Sequence, residues 1–192
     1  MKKIILLIFI IILILSVNVL AVDIDIGPEA TDRGSTMAAN YTRIMKDNPA
    51  NADGKITTVE LWANSDLSGC IVATFFVVSG NILSARDNHV IGNVTAGSKQ
   101  TFSGLDITVK TGDYIGLFYS GGTMERDTSG FAGLWGKSGD YTASSDITYG
   151  TAAGDTESIK GIGATVGWDH KWNTQTISKW NTKEIIKWNG LE

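Results

Sequence analysis

Along most of this chain apolar and polar residues alternate with a period of two, the spacing of a strand that covers a core with one face. Leu105-Asp106-Ile107-Thr108-Val109-Lys110 is the cleanest case, with three apolar side chains facing one way and three polar ones the other. Residues 56–63 repeat the pattern, with Val59, Leu61 and Ala63 on one face and Trp62 on the other. Residues 71–78 are apolar on both faces, which predicts a central strand covered from both sides. Ser79-Gly80-Asn81 predicts a tight hairpin into a strand over 82–86, and Arg86-Asp87-Asn88-His89 reads as a polar turn. Thr111-Gly112-Asp113 predicts a turn into a strand over 114–119 that ends at Gly121-Gly122. Shorter strands are predicted near 131–135, 147–149 and 159–166. The stretch 37–46 comes nearest to a helical period, and Asn40, Tyr41 and Thr42 limit any helix there to a short embellishment.

Short strands at close intervals, with 22 Gly and 2 Pro, predict an all-β fold, an antiparallel β-sandwich of jelly-roll-like layout over residues 22–170. Two segments depart from this pattern. Residues 1–21 begin Met1-Lys2-Lys3, continue as an apolar run and close on Val19-Leu20-Ala21. This reads as a secretory signal cut after Ala21, and an uncleaved membrane anchor is the alternative. The expected location is therefore secreted or cell-surface, with membrane contact only if that segment stays attached. Residues 171–192 carry Trp172, Trp180 and Trp188 at intervals of eight, each followed by Asn. An even spacing puts all three rings on one face of an extended strand, about 26 Å apart, whereas a helix would rotate them by about 80° per repeat. A short extended Trp-repeat tail is expected.

Charge narrows the partners. The whole chain has a net charge of −4, which becomes −6 once Lys2 and Lys3 are set aside. An acidic surface argues against nucleic acid as a partner. Cys70 is the one cysteine, so no internal disulfide can form, and its apolar surroundings predict a buried thiol.

Three segments carry a resemblance: 25–33 (Asp-Ile-Gly-Pro-Glu-Ala-Thr-Asp-Arg), 48–54 (Asn-Pro-Ala-Asn-Ala-Asp-Gly) and 110–116 (Lys-Thr-Gly-Asp-Tyr-Ile-Gly), together with the Lys187-Trp188-Asn189-Gly190 ending. In these the chain resembles a β-sandwich domain of uncharacterised exported and phage-associated structural proteins. The resemblance implies the fold and offers no catalytic residues. A looser likeness, on strand pattern alone, is to the jelly-roll layout of carbohydrate-binding modules, and fold does not fix function.

The chemical candidates are few. Residues 51–60 match part of a calcium loop, with Asp53, Gly54 and Glu60 in place, but Pro49 occupies the first ligand position and a strand follows where a helix should. An Asp-Gly turn entering a strand accounts for them. The expectation is no cofactor, with a sandwich-type Ca²⁺ site on Asp53 or other loop carboxylates left open. His89 and His170 have no zinc-ligand spacing around them, and no nucleophile signature is present. Nor is any carboxylate pair marked for sugar hydrolysis, so an enzyme is not expected. Aromatic residues give the strongest binding signal, because Trp and Tyr combine a flat apolar face with a polar edge. Trp62, Trp135, Tyr141, Trp172, Trp180 and Trp188 are the candidate binding residues, set against the reading in which they fill the core or pin the tail. The function expected is a non-catalytic module that binds a glycan or another cell-surface component. The alternative is a structural subunit of a virion, appendage or cell surface that forms homo-oligomers through its Trp tail, and a glycan-active hydrolase stands third.

Overall fold

A computed structural model describes residues 22–165. Residues 1–21, Trp168 and the segment with Trp172, Trp180 and Trp188 lie outside the described residues, and so do the expectations of a leader and a Trp-repeat tail. The described chain is all-β and antiparallel, with eleven strands: β1 Asp23–Ile26, β2 Ser35–Ala38, β3 Tyr41–Met45, β4 Gly54–Ser79, β5 Ile82–Val94, β6 Lys99–Val109, β7 Tyr114–Phe118, β8 Gly121–Ser138, β9 Ile147–Thr148, β10 Gly150–Glu157 and β11 Ile159–Ala164. The stretch 37–46 is therefore strand rather than helix. Its alternate positions serve two different cores: Met45 faces the main one and Ile44 a second one.

β4 joins the two layers. Its first part pairs with β6 and β11 in one sheet, and β11 in turn carries β1. Its second part pairs with β5 and β7 in the other sheet, where β7 is followed by β3 and β8. Register shifts between Leu67, Cys70 and Ile71 mark the crossing, since each bulge turns the strand and increases its twist. The inner faces meet in one cluster. Ile24, Ile26, Ile56, Val59, Leu61, Ile107 and Val109 come from the first sheet, and Met45, Val72, Ile115, Leu117, Met124 and Leu134 from the second. Each large apolar side chain sealed in this way contributes about 1.5–3 kcal/mol. The expected inward positions Val59, Leu61, Ala63, Leu105, Ile107 and Val109 are all buried, and so is Cys70, whose thiol burial pushes up to about 12.

Of the run 71–78, residues 72–75 are covered on both faces as expected, whereas Val77 and Val78 at its end are exposed. The outer cover is the second cluster, in which Ile44, Ala73, Phe75, Leu83 and Trp135 pack with Tyr141, Ile147 and Tyr149 of the segment 140–149. Two expectations need correcting. The residues Arg86 to His89 are strand, because β5 continues through them along β4, with Asp87 opposite Thr74 and His89 opposite Val72. Gly121-Gly122 opens β8 rather than closing the strand before it, because the chain runs on along β4 from Phe118 opposite Ile71 to Met124 opposite Ala63.

β8 shapes one end of the domain. Ala38 of β2 lies opposite Thr123, and Tyr41 of β3 lies opposite Ser138. Ala38 and Tyr41 can be at most about 11 Å apart, yet a straight strand from 123 to 138 would span about 50 Å. β8 must therefore fold back on itself, and its exposed segment 128–130 forms the elbow. Gly133 permits the return. It has φ +99°, and a Cβ there would strike the backbone of Ala152. β10 bridges the two arms, pairing with Arg126 and Asp127 on the first and with Leu134, Trp135 and Gly136 on the second. The ladders, together with the Ala39-Asn40 link between β2 and β3, thus close a circuit through β2, β3, the second arm of β8, β10 and the first arm of β8.

Candidate functional site

The circuit encloses a cleft of about 470 Å³. Met37 and Ala38 line it from β2, Tyr41 and Arg43 from β3, Arg126, Leu134 and Gly136 from the two arms of β8, and Gly150, Thr151, Ala152 and Asp155 from β10. Its walls are largely apolar. Tyr41 stands at the rim with 42% of its surface exposed, and the Arg43 guanidinium lies 4.9 Å from its ring centroid. A second recess, beside Asp66 and Asn93 where β4 bends, has no aromatic wall and no ion pair.

The floor of the cleft is charged. Arg43 is buried and donates from Nη1 to the Tyr119 hydroxyl at 3.0 Å and from Nη2 to the Ala38 carbonyl at 2.6 Å. The Tyr119 hydroxyl donates onward to the Met37 carbonyl at 2.8 Å, which fixes β2 against the floor. Arg126 pairs with Asp155. Behind Arg43 lies Glu157, fully buried, with Oε1 3.2 Å from Arg43 Nη1. The contact is one of charge rather than a directed hydrogen bond, and among the described residues no donor satisfies either carboxylate oxygen. Arg126 Nε, on the residue directly opposite Glu157 in the ladder, is likewise buried without an acceptor. Burial pushes the Glu157 carboxyl up to about 7, against the opposing pull of Arg43 and Arg126. Burial and the charge of Glu157 raise the Tyr119 phenol as well.

The aromatic candidates separate. Trp135 is 7% exposed and cannot serve as a surface platform. Its Nε1 donates to Asn81 Oδ1 at 3.0 Å, its ring meets Tyr114 edge-on at 5.0 Å, and Lys46 caps it at 4.6 Å. Alternation explains this, because Leu134 and Gly136 turn toward the cleft and Trp135 between them must face the second core. Tyr141 packs on the same core, edge-on to Tyr149 at 6.3 Å, with Lys137 5.4 Å above it. Trp62 is half-buried beside Lys99, on the face of β4 opposite the core residues Leu61 and Ala63. None of the three lines the cleft.

The partial calcium loop is dispersed. Asn51 Oδ1 accepts from the Asp25 amide, Asp53 accepts from the Thr111 amide and hydroxyl, and Glu60 pairs with Lys99. Those two bonds from Thr111 hold the Asp53 carboxyl below its usual range. Among the described residues no group of three or more His, Cys, Asp or Glu converges on a point.

Sequence reasoning missed Arg43, Arg126, Asp155 and Glu157. Parity carried a signal for Arg43, which shares the inward face with Met45, so a charge sits at a core position. Glu157 had none, since Asp155-Thr156-Glu157-Ser158 reads as a solvated run. The chain matches no known protein-family model and no curated protein.

Proposed function

We propose that this domain is a non-catalytic binding module that holds a glycan in the cleft between β2–β3 and β10. One observation carries the reading: an exposed tyrosine ring, apolar walls and fixed guanidinium and carboxylate groups converge on a single concavity. A sugar ring presents the same mixture, with C–H faces that stack on aromatic and aliphatic surface and hydroxyl edges that both donate and accept. Tyr41 supplies the stacking face, Leu134 and Ala152 the wall, and Arg126 with Asp155 the polar edge. Binding is favoured over hydrolysis because Asp155 and Glu157 are each held against an arginine rather than poised across an open site. The apolar leader fits delivery to the cell surface or medium, where glycans are met. A glycan array followed by calorimetry on the best ligand tests the reading. Tyr41→Ala should weaken binding by about tenfold, the loss of one stacked ring. An array on which no glycan binds would reject it.

A second reading, self-assembly as a structural subunit, is supported by the β4–β5 hairpin, where Val77, Val78 and Val90 are exposed, Val90 by 65%. Sedimentation over a range of concentrations, with and without residues 171–192, tests it. A monomer at every concentration in both forms would remove it.

A further inference from the structure

The inference rests on the reading of the cleft as a glycan site and concerns which glycans it takes and when. We propose that the Arg43–Glu157 pair is a proton-operated control beneath the cleft, which turns it toward sugars bearing a carboxylate, uronic acids, in mildly acidic surroundings.

The geometry carries the argument. The buried ionic cluster holds two arginines, Arg43 and Arg126, and two carboxylates, Asp155 and Glu157, so with both carboxylates ionised its charge is zero. The two carboxylates are not equivalent. Asp155 is paired closely with Arg126 and lines the cleft. Glu157 is sealed away, and among the described residues no hydrogen bond holds its ionised form. A buried carboxylate without hydrogen bonds is the member of such a cluster that takes up a proton first.

The groups around Glu157 agree. Arg43 from β3 and Arg126 from β8 favour its charge, and Asp155 on its own strand opposes it. Tyr119, beyond β7, and Cys70 of β4 are both held neutral, so neither adds a compensating charge. Burial outweighs the two arginines and sets the carboxyl at about 7. Once Glu157 is neutral, the cluster carries one net positive charge. Arg43, Arg126 and Asp155 all line the cleft, so the charge is felt there. An anionic sugar gains from that change and a neutral sugar does not. At an effective dielectric near 20, one unit of charge about 10 Å away is worth about tenfold in affinity.

Calorimetry with a galacturonic acid trisaccharide and the matching neutral galactose trisaccharide, at about pH 5.5 and about pH 8, reads this out. The galacturonate is ionised at both values, as ordinary carboxylic acids are. The acidic sugar should bind about tenfold more tightly at the lower pH, and the neutral sugar equally at both. Glu157→Gln, which fixes the neutral form, should bind the acidic sugar at pH 8 as tightly as the unaltered protein does at pH 5.5. Equal affinity for the acidic sugar at both pH values, or binding of the neutral sugar alone, overturns the control and leaves the glycan site standing. Pronounced pH dependence that survives in Glu157→Gln also overturns it. No binding of any glycan removes the site and the control together. Carbon-13 NMR of the glutamate carboxyls gives an independent check on the protein alone: a resonance with a midpoint near 7, lost in Glu157→Gln, supports the control, and its absence overturns it.

Discussion

Glu157 Oε1, fully buried, lies 3.2 Å from Arg43 Nη1, and the ion pair does not offset the carboxylate's burial. The folded protein binds a proton at Glu157 more tightly than the unfolded chain does, with its carboxyl at about 7 against an ordinary value of 4.5. This contribution is therefore complete below 4.5 and is lost as the pH rises through about 7. A displacement of that size corresponds to about 3 kcal/mol. Urea unfolding should show stability falling between pH 5 and pH 8 in the unaltered protein, and a flatter profile in Glu157→Gln. A stability that rises over that interval would contradict the burial argument.

Two tyrosines should respond oppositely to loss of the hydroxyl. Tyr119 accepts from Arg43 and donates to the Met37 carbonyl, so Tyr119→Phe leaves one buried and one part-buried group short of a partner and should cost about 1–3 kcal/mol. The Tyr149 hydroxyl is buried with no hydrogen-bond partner among the described residues, and burial with the charges of Tyr141 and Asp140 pushes its phenol up to about 12. Tyr149→Phe removes an unsatisfied group and should leave stability unchanged or raise it by up to about 1 kcal/mol. Denaturant midpoints of the two variants measure the contrast.

Arg86 and Asp113 form the best-satisfied ion pair outside the cleft. Asp113 is almost fully buried, receives two guanidinium nitrogens and also accepts from the Lys110 amide at 2.8 Å. Arg86→Ala abandons a buried carboxylate and should cost about 3–5 kcal/mol. Arg86→Ala together with Asp113→Asn should recover much of that loss, because the abandoned charge is then gone.

Gly122 sits where β8 runs along β4, between Gly121 opposite Ser68 and Thr123 opposite Ser65, with φ +88° and the Asp66 carbonyl where a Cβ would go. Gly122→Ala meets both a disfavoured backbone angle and a clash with main chain, and should cost well over about 1 kcal/mol. Gly34→Ala is the matched control, since nothing lies within 4 Å of its Cβ position. A thermal melt of the two variants separates strain from mere loss of glycine.

The sheets were legible in the sequence wherever one face met the core and the other met water. Leu105, Ile107 and Val109 announced themselves by alternation, and so did Val59, Leu61 and Ala63. The double cover over Ala73 and Phe75 was legible because both faces are apolar. The cleft was not, for two physical reasons. Its outline depends on β8 folding back at 128–130, and glycine-rich strand sequence carries too few side chains to record a change of direction. Its floor is made of arginine and carboxylate side chains, which look solvated in a sequence because only long-range pairing removes them from water. Trp135 stood among the binding candidates for the same reason: nothing local revealed the second core above it.

β4 contributes its hydrogen-bonding edges to both layers, meeting β6 and β11 in one and β5, β7 and β8 in the other. Neither layer can peel away while the other persists, since detaching either one frees part of the strand that anchors both. Amide protons deep in the two sheets should therefore exchange with solvent in concert, and a pulling force applied at the ends of the body should meet a single rupture.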